Sequence, residues 1–121
     1  MKYLALIYGD AERWDAMDEG QQEAMRGQYR AFAQEAGQRG ALVDGFELEP
    51  SSTATTLRSG DNGPIVTDGP FAETKEQLGG YYLIEADSLD DAIEWATKLP
   101  GSHHGTVEIR AIAQVPAGAP S

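Results

Sequence analysis

Apolar residues recur along the chain with two different periods, which predict alternating strands and helices. Short apolar runs bounded by glycine or acidic residues predict buried strands at 2–8 and 80–86. Apolar side chains that recur every three or four residues predict helices near 18–39 and 88–99. The other strand-like segments are 41–49, 53–57, 64–69 and 106–115.

Capping signals mark both predicted helices. Asp18 is followed three residues later by Gln21, and Ser88 is followed at the same distance by Asp91, so each pair resembles a capping box. A proline–glycine pair at 100–101 is a stop signal for the second helix. We therefore expect two helices with well-defined starts.

The order of these elements predicts an α+β domain. A strand–helix–strand unit is followed by a hairpin, whose turn residues lie at 59–63, and then by a second strand–helix–strand unit. Two such units with right-handed crossovers form one antiparallel sheet with both helices on one face, a ferredoxin-like arrangement. We expect residues 1–115 to form this domain and residues 116–121 to be a flexible tail.

Both faces of the predicted sheet carry apolar side chains. Tyr81 and Leu83 alternate with Tyr82 and Ile84, and two helices can cover only one face. Leu, Ile, Val and Phe make up less than a fifth of the sequence, so the core of one chain is thin. Because monomers rarely tolerate a large uncovered apolar face, we predict a homodimer that buries the face away from the helices.

Charge and composition exclude several classes of function. The formal net charge is −11 at pH 7, which is unfavourable for binding nucleic-acid phosphates or anionic membranes. The sequence has no cysteine, which excludes disulfides, thiolate metal sites and thiol catalysis. The first apolar run is too short for a signal peptide or a membrane span. We expect a cytoplasmic protein that has neither nucleic acid nor a membrane as its partner.

The sequence lacks the motifs of nucleotide-binding proteins, serine hydrolases and zinc peptidases, so we expect no cofactor and no metal site. Its two histidines, His103 and His104, are adjacent in a glycine-flanked segment that is predicted to be a loop. On an extended backbone they would point apart. Either one could act as a general base if it faces a cleft, although two solvated histidines are the simpler interpretation.

The segment 67–82, TDGPFAETKEQLGGYY, combines turn-forming residues with charged ones. We expect Asp68 to be substantially buried, to accept hydrogen bonds from the backbone amides after it, and to have Phe71 packed inside beside it. Such a loop would hold Asp68, Glu73 and Lys75 in place for proton transfer or for a charged ligand. The alternative is a well-formed turn with a solvated, charged tip.

The stretches DGPFAETKE at 68–76 and GGYYLIEA at 79–86 resemble the DGPF family of YCII-related proteins. MKYLALIYG, GALVDGFEL and SLDDAIEWATKLPG also resemble this family, so the similarity covers about residues 1–115. The resemblance implies a ferredoxin-like homodimer of the dimeric α-β barrel type, with clefts at or near the interface. It also implies a bacterial protein of unassigned activity, and many relatives are encoded beside extracytoplasmic-function sigma factors.

One feature of the wider YCII superfamily is missing from this sequence. A histidine on the first helix and an aspartate have been suggested as the active site of that superfamily. Here no histidine precedes His103, and Tyr29 lies about where the helical histidine would be. This departure argues against transferring a histidine–aspartate mechanism.

Three hypotheses for the function remain open. The first is a cofactor-independent enzyme that acts on a small polar molecule by acid–base chemistry. The second is a small-molecule-binding or accessory module of a sigma-factor signalling system, and the third is a dimeric scaffold without a ligand site. A cleft with convergent polar groups would favour the first two. The candidates for catalysis are Asp68, Asp44 and His103, and those for ligand binding are Glu73, Lys75, Arg110 and Tyr29.

Overall fold

The computed structural model describes residues 1–114 as an antiparallel sheet, helices and a separate hairpin. The strands are β1 (Lys2–Gly9), β2 (Leu42–Glu47), β3 (Thr55–Arg58), β4 (Ile65–Asp68), β5 (Gln77–Glu85) and β6 (Thr106–Ala111). The helices are α1 (Ala11–Asp15), α2 (Glu19–Gln38), α3 (Leu89–Ala96) and α4 (Gly101–His104), with a 3-10 turn at Ser51–Thr53. The tail predicted at 116–121 lies outside the described residues.

The main sheet has the strand order β2-β5-β1-β6, and each neighbouring pair is antiparallel. This α+β arrangement is consistent with the predicted ferredoxin-like fold, and within residues 1–114 the sheet is open rather than closed into a barrel. The β3–β4 hairpin is inserted between β2 and β5, where the sequence predicts it, and forms a two-stranded sheet of its own. No helix in this part of the chain is long and apolar enough to cross a membrane.

The two longest helices begin where their capping signals predict. Asp18 Oδ1 accepts a hydrogen bond from the backbone amide of Gln21 at 2.8 Å, and Gln21 Oε1 accepts one from the amide of Asp18 at 3.0 Å. Ser88 Oγ accepts a hydrogen bond from the amide of Asp91 at 3.2 Å. Gly40 follows the first of these helices with a φ of +74°, a conformation that favours glycine.

The core lies between the sheet and the helices. Phe32 of α2 packs edge-on against Tyr82 of β5 and Trp95 of α3, with ring centroids 4.9 and 6.1 Å apart. Ile84 and Leu99 are fully buried in the same layer. The buried alanines are Ala5, Ala36, Ala41, Ala86, Ala92 and Ala96. A core with so many small side chains is thin, as the composition predicts.

Two segments differ from the prediction. Residues 10–17, for which the sequence predicts neither a helix nor a strand, contain α1, because Asp10 Oδ1 accepts a hydrogen bond from the Glu12 amide and caps the helix. The adjacent histidines, expected on an extended loop, lie in the single turn of α4. The chain turns there because the amide of Gly105 donates to the carbonyl of Gly101 at 3.0 Å.

A register shift in β2 decides which side of the sheet its residues face. Leu42 pairs with Ile84 and Asp44 pairs with Leu83, two residues of β5 that point to opposite sides. Leu42 therefore faces the helices, whereas Asp44 and Phe46 face away from them. Even spacing along the sequence predicts one side for all three, and the irregularity breaks that rule.

Candidate ligand-binding site

The seven predicted site residues do not meet in one place. We call the side of the main sheet that the helices cover the helix face, and the other side the outer face. The predicted residues lie in the hairpin and the loop after it (Asp68, Glu73, Lys75), on the outer face (Asp44, Arg110), in α4 (His103) and in α2 (Tyr29). The six residues other than Tyr29 lie on at least three separate surfaces, whereas Tyr29 lies on the helix face.

The loop that begins with the DGPF sequence at 68–71 is not buried in this chain, contrary to the prediction. Asp68 is exposed, and Phe71 is 78% exposed. Gly69, with a φ of +99°, donates its amide to the carbonyl of Ala54 at 2.6 Å, which closes the hairpin instead of holding the carboxylate. The physical reason is that the hairpin pairs with no strand of the main sheet, so no apolar layer of this chain reaches the loop.

Lys75 and His103 are surface residues with local contacts. The Lys75 ammonium lies 3.9 Å from Asp10 Oδ2, and 83% of its side chain is exposed. His103 Nε2 lies 2.8 Å from the carbonyl oxygen of Thr97. The first contact joins Lys75 to the residue before α1, and the second joins His103 of α4 to the residue that follows α3.

Arg110 and Asp44 lie on opposite edge strands of the outer face. The Arg110 Nε donates to Glu108 Oε2 at 2.9 Å, and Asp44 Oδ1 accepts from the amide of Gly45 at 2.9 Å. Two strands separate them, so they do not form one site within a chain.

Tyr29 lies half-buried on the helix face, at the end of the sheet where β1 and β2 finish. Four residues form a row across the strands there: Val107, Ile7, Gly80 and Glu47. The Tyr29 hydroxyl lies beside Gly101, where an added Cβ would be only 3.3 Å from Oη. The Tyr82 ring covers Gly45 so closely that an added Cβ would clash with it unless the ring moved. We call the surroundings of Tyr29, Tyr82 and Glu47 the tyrosine recess.

Burial and one carboxylate determine the electrostatics of the tyrosine recess. Burial raises the pKa of Tyr29 above its ordinary 10.0, the nearby amide of Gly101 lowers it in part, and the Glu47 carboxylate raises it. The pKa of Tyr82 is raised by burial, then by Tyr29 and by Glu47. Both phenols are therefore neutral at physiological pH, and the charge of Glu47 acts on both.

The polar groups of the tyrosine recess lack side-chain partners. Among residues 1–114, no side chain forms a hydrogen bond with the hydroxyl of Tyr29 or Tyr82, and no ion pair includes Glu47. Glu47 also borders an open depression of about 260 Å³, whose other lining residues are Leu48, Glu49 and Pro50. That volume is near the lower end of small-molecule pockets. Of the three groups, only the Glu47 carboxylate lines this depression.

A second depression, of about 100 Å³ beside α3, is different because both of its cations are paired. The Lys98 ammonium lies 2.6 Å from Glu35 Oε1, and Arg39 lies 3.6 Å from the same oxygen. Both cations also lie over the Trp95 ring, 4.8 and 5.0 Å from its centroid. These contacts join α2 to α3, which indicates a structural role.

Comparison with known proteins identifies the family. The family model of the YCII-related domain matches residues 1–116. The chain belongs to the YCII-related family. It is also 37% identical over 115 residues to an uncharacterised protein of Rhizobium meliloti (strain 1021), in an alignment that covers 93% of each chain. The resemblance seen in the sequence is confirmed, and this relative is itself without an assigned activity.

Within this YCII-related chain, the candidates predicted from the sequence include Tyr29 but not Tyr82 or Glu47. Tyr82 could have been found from its place in β5, because it alternates with Tyr81 and must face the helices if Tyr81 does not. Glu47 could not be assigned to a face in this way, because the register shift between Leu42 and Asp44 reverses the alternation along β2.

Proposed function

We propose that this YCII-related protein is a homodimer in which each chain binds a small polar molecule at the tyrosine recess. The observation that carries the binding site is that two half-buried phenols and a carboxylate share one place and have no side-chain partners among residues 1–114. Both phenols and the carboxylate can still accept hydrogen bonds. A ligand that donates to them would add contacts that the described part of the chain does not make.

The homodimer is supported by the apolar character of the outer face. Adjacent strands place these side chains together there: Leu4, Leu6, Tyr8, Leu78, Tyr81 and Leu83. Phe46, beside them on β2, is 61% exposed. Two copies that stack their outer faces, as in a dimeric α-β barrel, would cover these side chains. We expect such an interface to bury more than about 1,000 Å² in total.

Charges at the edges of the outer face are compatible with a twofold arrangement. Asp44, Leu83, Leu4 and Arg110 form one row across the sheet, with opposite charges at its two ends. In a twofold interface each contact is made twice. If the two outer faces stack with the β2 edge of one chain over the β6 edge of the other, Asp44 lies near the partner's Arg110. The twofold axis then repeats this contact with the two chains exchanged.

Acid–base catalysis on the bound molecule is a second candidate function, supported by the position of Glu47 near two neutral phenols. A carboxylate can accept a proton and a phenol can donate one. In this case Glu47, Tyr29 and Tyr82 would carry the chemistry, in place of Asp68, Asp44 and His103. Conversion of a bound fragment that is lost in Glu47→Gln would support catalysis, whereas binding without conversion supports a binding module. An accessory role beside a sigma factor is a proposal that rests on the family resemblance.

Fluorine NMR with 3-fluorotyrosine tests the binding site directly. The chain has five tyrosines, and the variants Tyr29→Phe, Tyr82→Phe and Tyr81→Phe assign two recess signals and one control signal from the outer face. We expect small polar fragments to shift the Tyr29 and Tyr82 signals together and to leave the Tyr81 signal unchanged. The proposed site is wrong if no fragment shifts the recess signals, or if all three tyrosines always respond alike.

A further inference from the structure

We propose that Asn62, at the tip of the β3–β4 hairpin, is a site of spontaneous deamidation that yields a mixture of aspartate and isoaspartate. It is the only asparagine in the sequence, and Gly63 follows it. The modification is independent of the tyrosine recess. It is supported by the exposure of the hairpin tip, by the conformation of Gly63 and by the weak hydrogen bond of the Gly63 amide.

The reaction needs only water as a co-reactant. The Gly63 backbone nitrogen gives up its proton to solvent and forms a bond to Asn62 Cγ. The bond from Cγ to Nδ2 breaks, and ammonia leaves with a proton from water, so that a cyclic imide remains. Water then opens this ring. Cleavage between the nitrogen and Cγ gives aspartate, and cleavage at the main-chain carbonyl carbon gives isoaspartate, without oxidation or reduction.

The hairpin tip leaves both reacting groups accessible. Gly60 and Gly63 exchange backbone hydrogen bonds, so Asp61 and Asn62 form a two-residue tip, and both are exposed. Gly63 has a φ of +111°, a conformation that favours glycine. Because glycine has no Cβ, no side chain of its own hinders the approach of the Gly63 nitrogen to the neighbouring amide group.

The Gly63 amide is also weakly held. Its N–H donates to the carbonyl of Gly60 at 3.3 Å, which is longer than an ordinary backbone hydrogen bond. The Asp68–Gly69 pair at the other end of β4 is different, because the Gly69 amide donates to the carbonyl of Ala54 at 2.6 Å. A nitrogen must release its proton before it can attack, so the weaker hydrogen bond favours reaction at Gly63.

The products would alter the hairpin and leave the main sheet intact. Both add one negative charge beside Asp61, and isoaspartate also lengthens the backbone at the tip by one methylene group. The hairpin forms a two-stranded sheet of its own. We therefore expect conversion to speed up amide hydrogen exchange in β3 and β4 and to leave the exchange of β1 and β5 unchanged.

Peptide mass spectrometry of the folded protein after incubation at neutral pH measures the reaction. Asp68→Asn supplies a matched control within one molecule, since it repeats the same dipeptide where the glycine amide is firmly held. We expect conversion at position 62 to be at least about tenfold faster than at position 68, with isoaspartate and free ammonia as products. Asn62→Gln, whose longer side chain requires a larger ring, should lose the reaction.

Other results would overturn the proposal. If Asn62 stays unmodified in the folded protein, the assignment is wrong, and conversion after unfolding in guanidinium chloride would show that the hairpin protects it. If positions 62 and 68 of the Asp68→Asn variant react at equal rates, the hydrogen bond of the glycine amide does not determine the site. If Asn62→Gln releases ammonia as fast as the unaltered protein, the ammonia comes from another residue.

Discussion

The main sheet presents two faces that are built from alternate residues of the same strands and are covered differently. On the helix face, Tyr3 and Ile84 are almost completely buried beneath α2 and α3. On the outer face, Leu4 and Leu6 are only half-buried, and Phe46 is 61% exposed. Both sets are apolar, so the difference lies in what covers each face rather than in the side chains themselves.

The hairpin extends the same difference beyond the sheet. Leu57 and Val66 are paired across it, and each is 64% exposed. An isolated two-stranded hairpin is marginally stable in water. The apolar positions of the sequence thus indicate more buried surface than one chain forms, which is the physical basis for proposing a second copy.

The largest expected effect comes from removing a ring on the covered face. Phe32→Ala should lower the free energy of unfolding by about 3–5 kcal/mol, because Phe32 packs between Tyr82 and Trp95 and leaves a cavity. Urea unfolding at several protein concentrations measures this loss, and Phe32→Leu provides a milder variant if the alanine variant does not fold.

Phe46→Ala is the matched change on the outer face. We expect Phe46→Ala to weaken association of the two chains, because the Phe46 ring is exposed within one chain. The loss of stability should therefore depend on protein concentration. If both variants lose the same stability at every concentration, the two faces do not differ as described.

A smaller effect is expected from two glycine substitutions. Gly45→Ala should destabilise the fold by about 1–3 kcal/mol, since its new methyl group would meet the Tyr82 ring. Gly37→Ala, at an open position of α2 with no atom within 4 Å of the added Cβ, should stabilise it by up to about 1 kcal/mol. Thermal unfolding distinguishes the two signs. A neutral Gly45→Ala would contradict the close packing of Tyr82 against β2.

The smallest effect is expected at the edge of the helix layer, where Lys98 lies beside Glu35. The Lys98 ammonium holds the pKa of Glu35 below 4.5. A carboxyl whose pKa is lowered by folding stabilises the protein above its unfolded pKa, and this contribution is lost as pH falls through the lower, folded value.

Lys98→Met should therefore reduce the loss of stability that occurs as pH falls below 4.5, with a small change because the Lys98 and Glu35 side chains are exposed. Urea midpoints at a series of pH values measure it, with Lys75→Met as the control for loss of one positive charge. An identical pH dependence for wild type and Lys98→Met would contradict the assigned contact.

The sequence predicts the main elements because their signals are local. Asp18 and Ser88 start helices by bonding to amides three residues away, and such signals do not depend on the rest of the fold. Asp10 carries a similar signal for α1, which the prediction missed. Asp68 and Phe71 show the opposite case, since their burial depends on what lies next to the hairpin, and no local pattern contains that information.

The site was predicted less completely than the fold for a related reason. Tyr29 is on a helix whose buried side is set by a regular period, and the resemblance to the family drew attention to its position. Glu47 lies on the same face of the sheet as Tyr29 and Tyr82 only because of the register shift in β2. A single irregularity of this kind reverses the faces of all later residues in the strand, and nothing in the alternation of LVDGFE reveals it.

The mass of the protein in solution tests most directly whether a second copy covers the outer face. Sedimentation equilibrium at micromolar concentration should give twice the chain mass of 13.0 kDa. Leu6→Glu, which places a charge at the centre of the outer face, should give the single-chain mass with the helical circular dichroism retained. Ala31→Glu, at an exposed position of α2, should remain a dimer. A single-chain mass for the unaltered protein, or a dimer that Leu6→Glu leaves intact, would contradict the account.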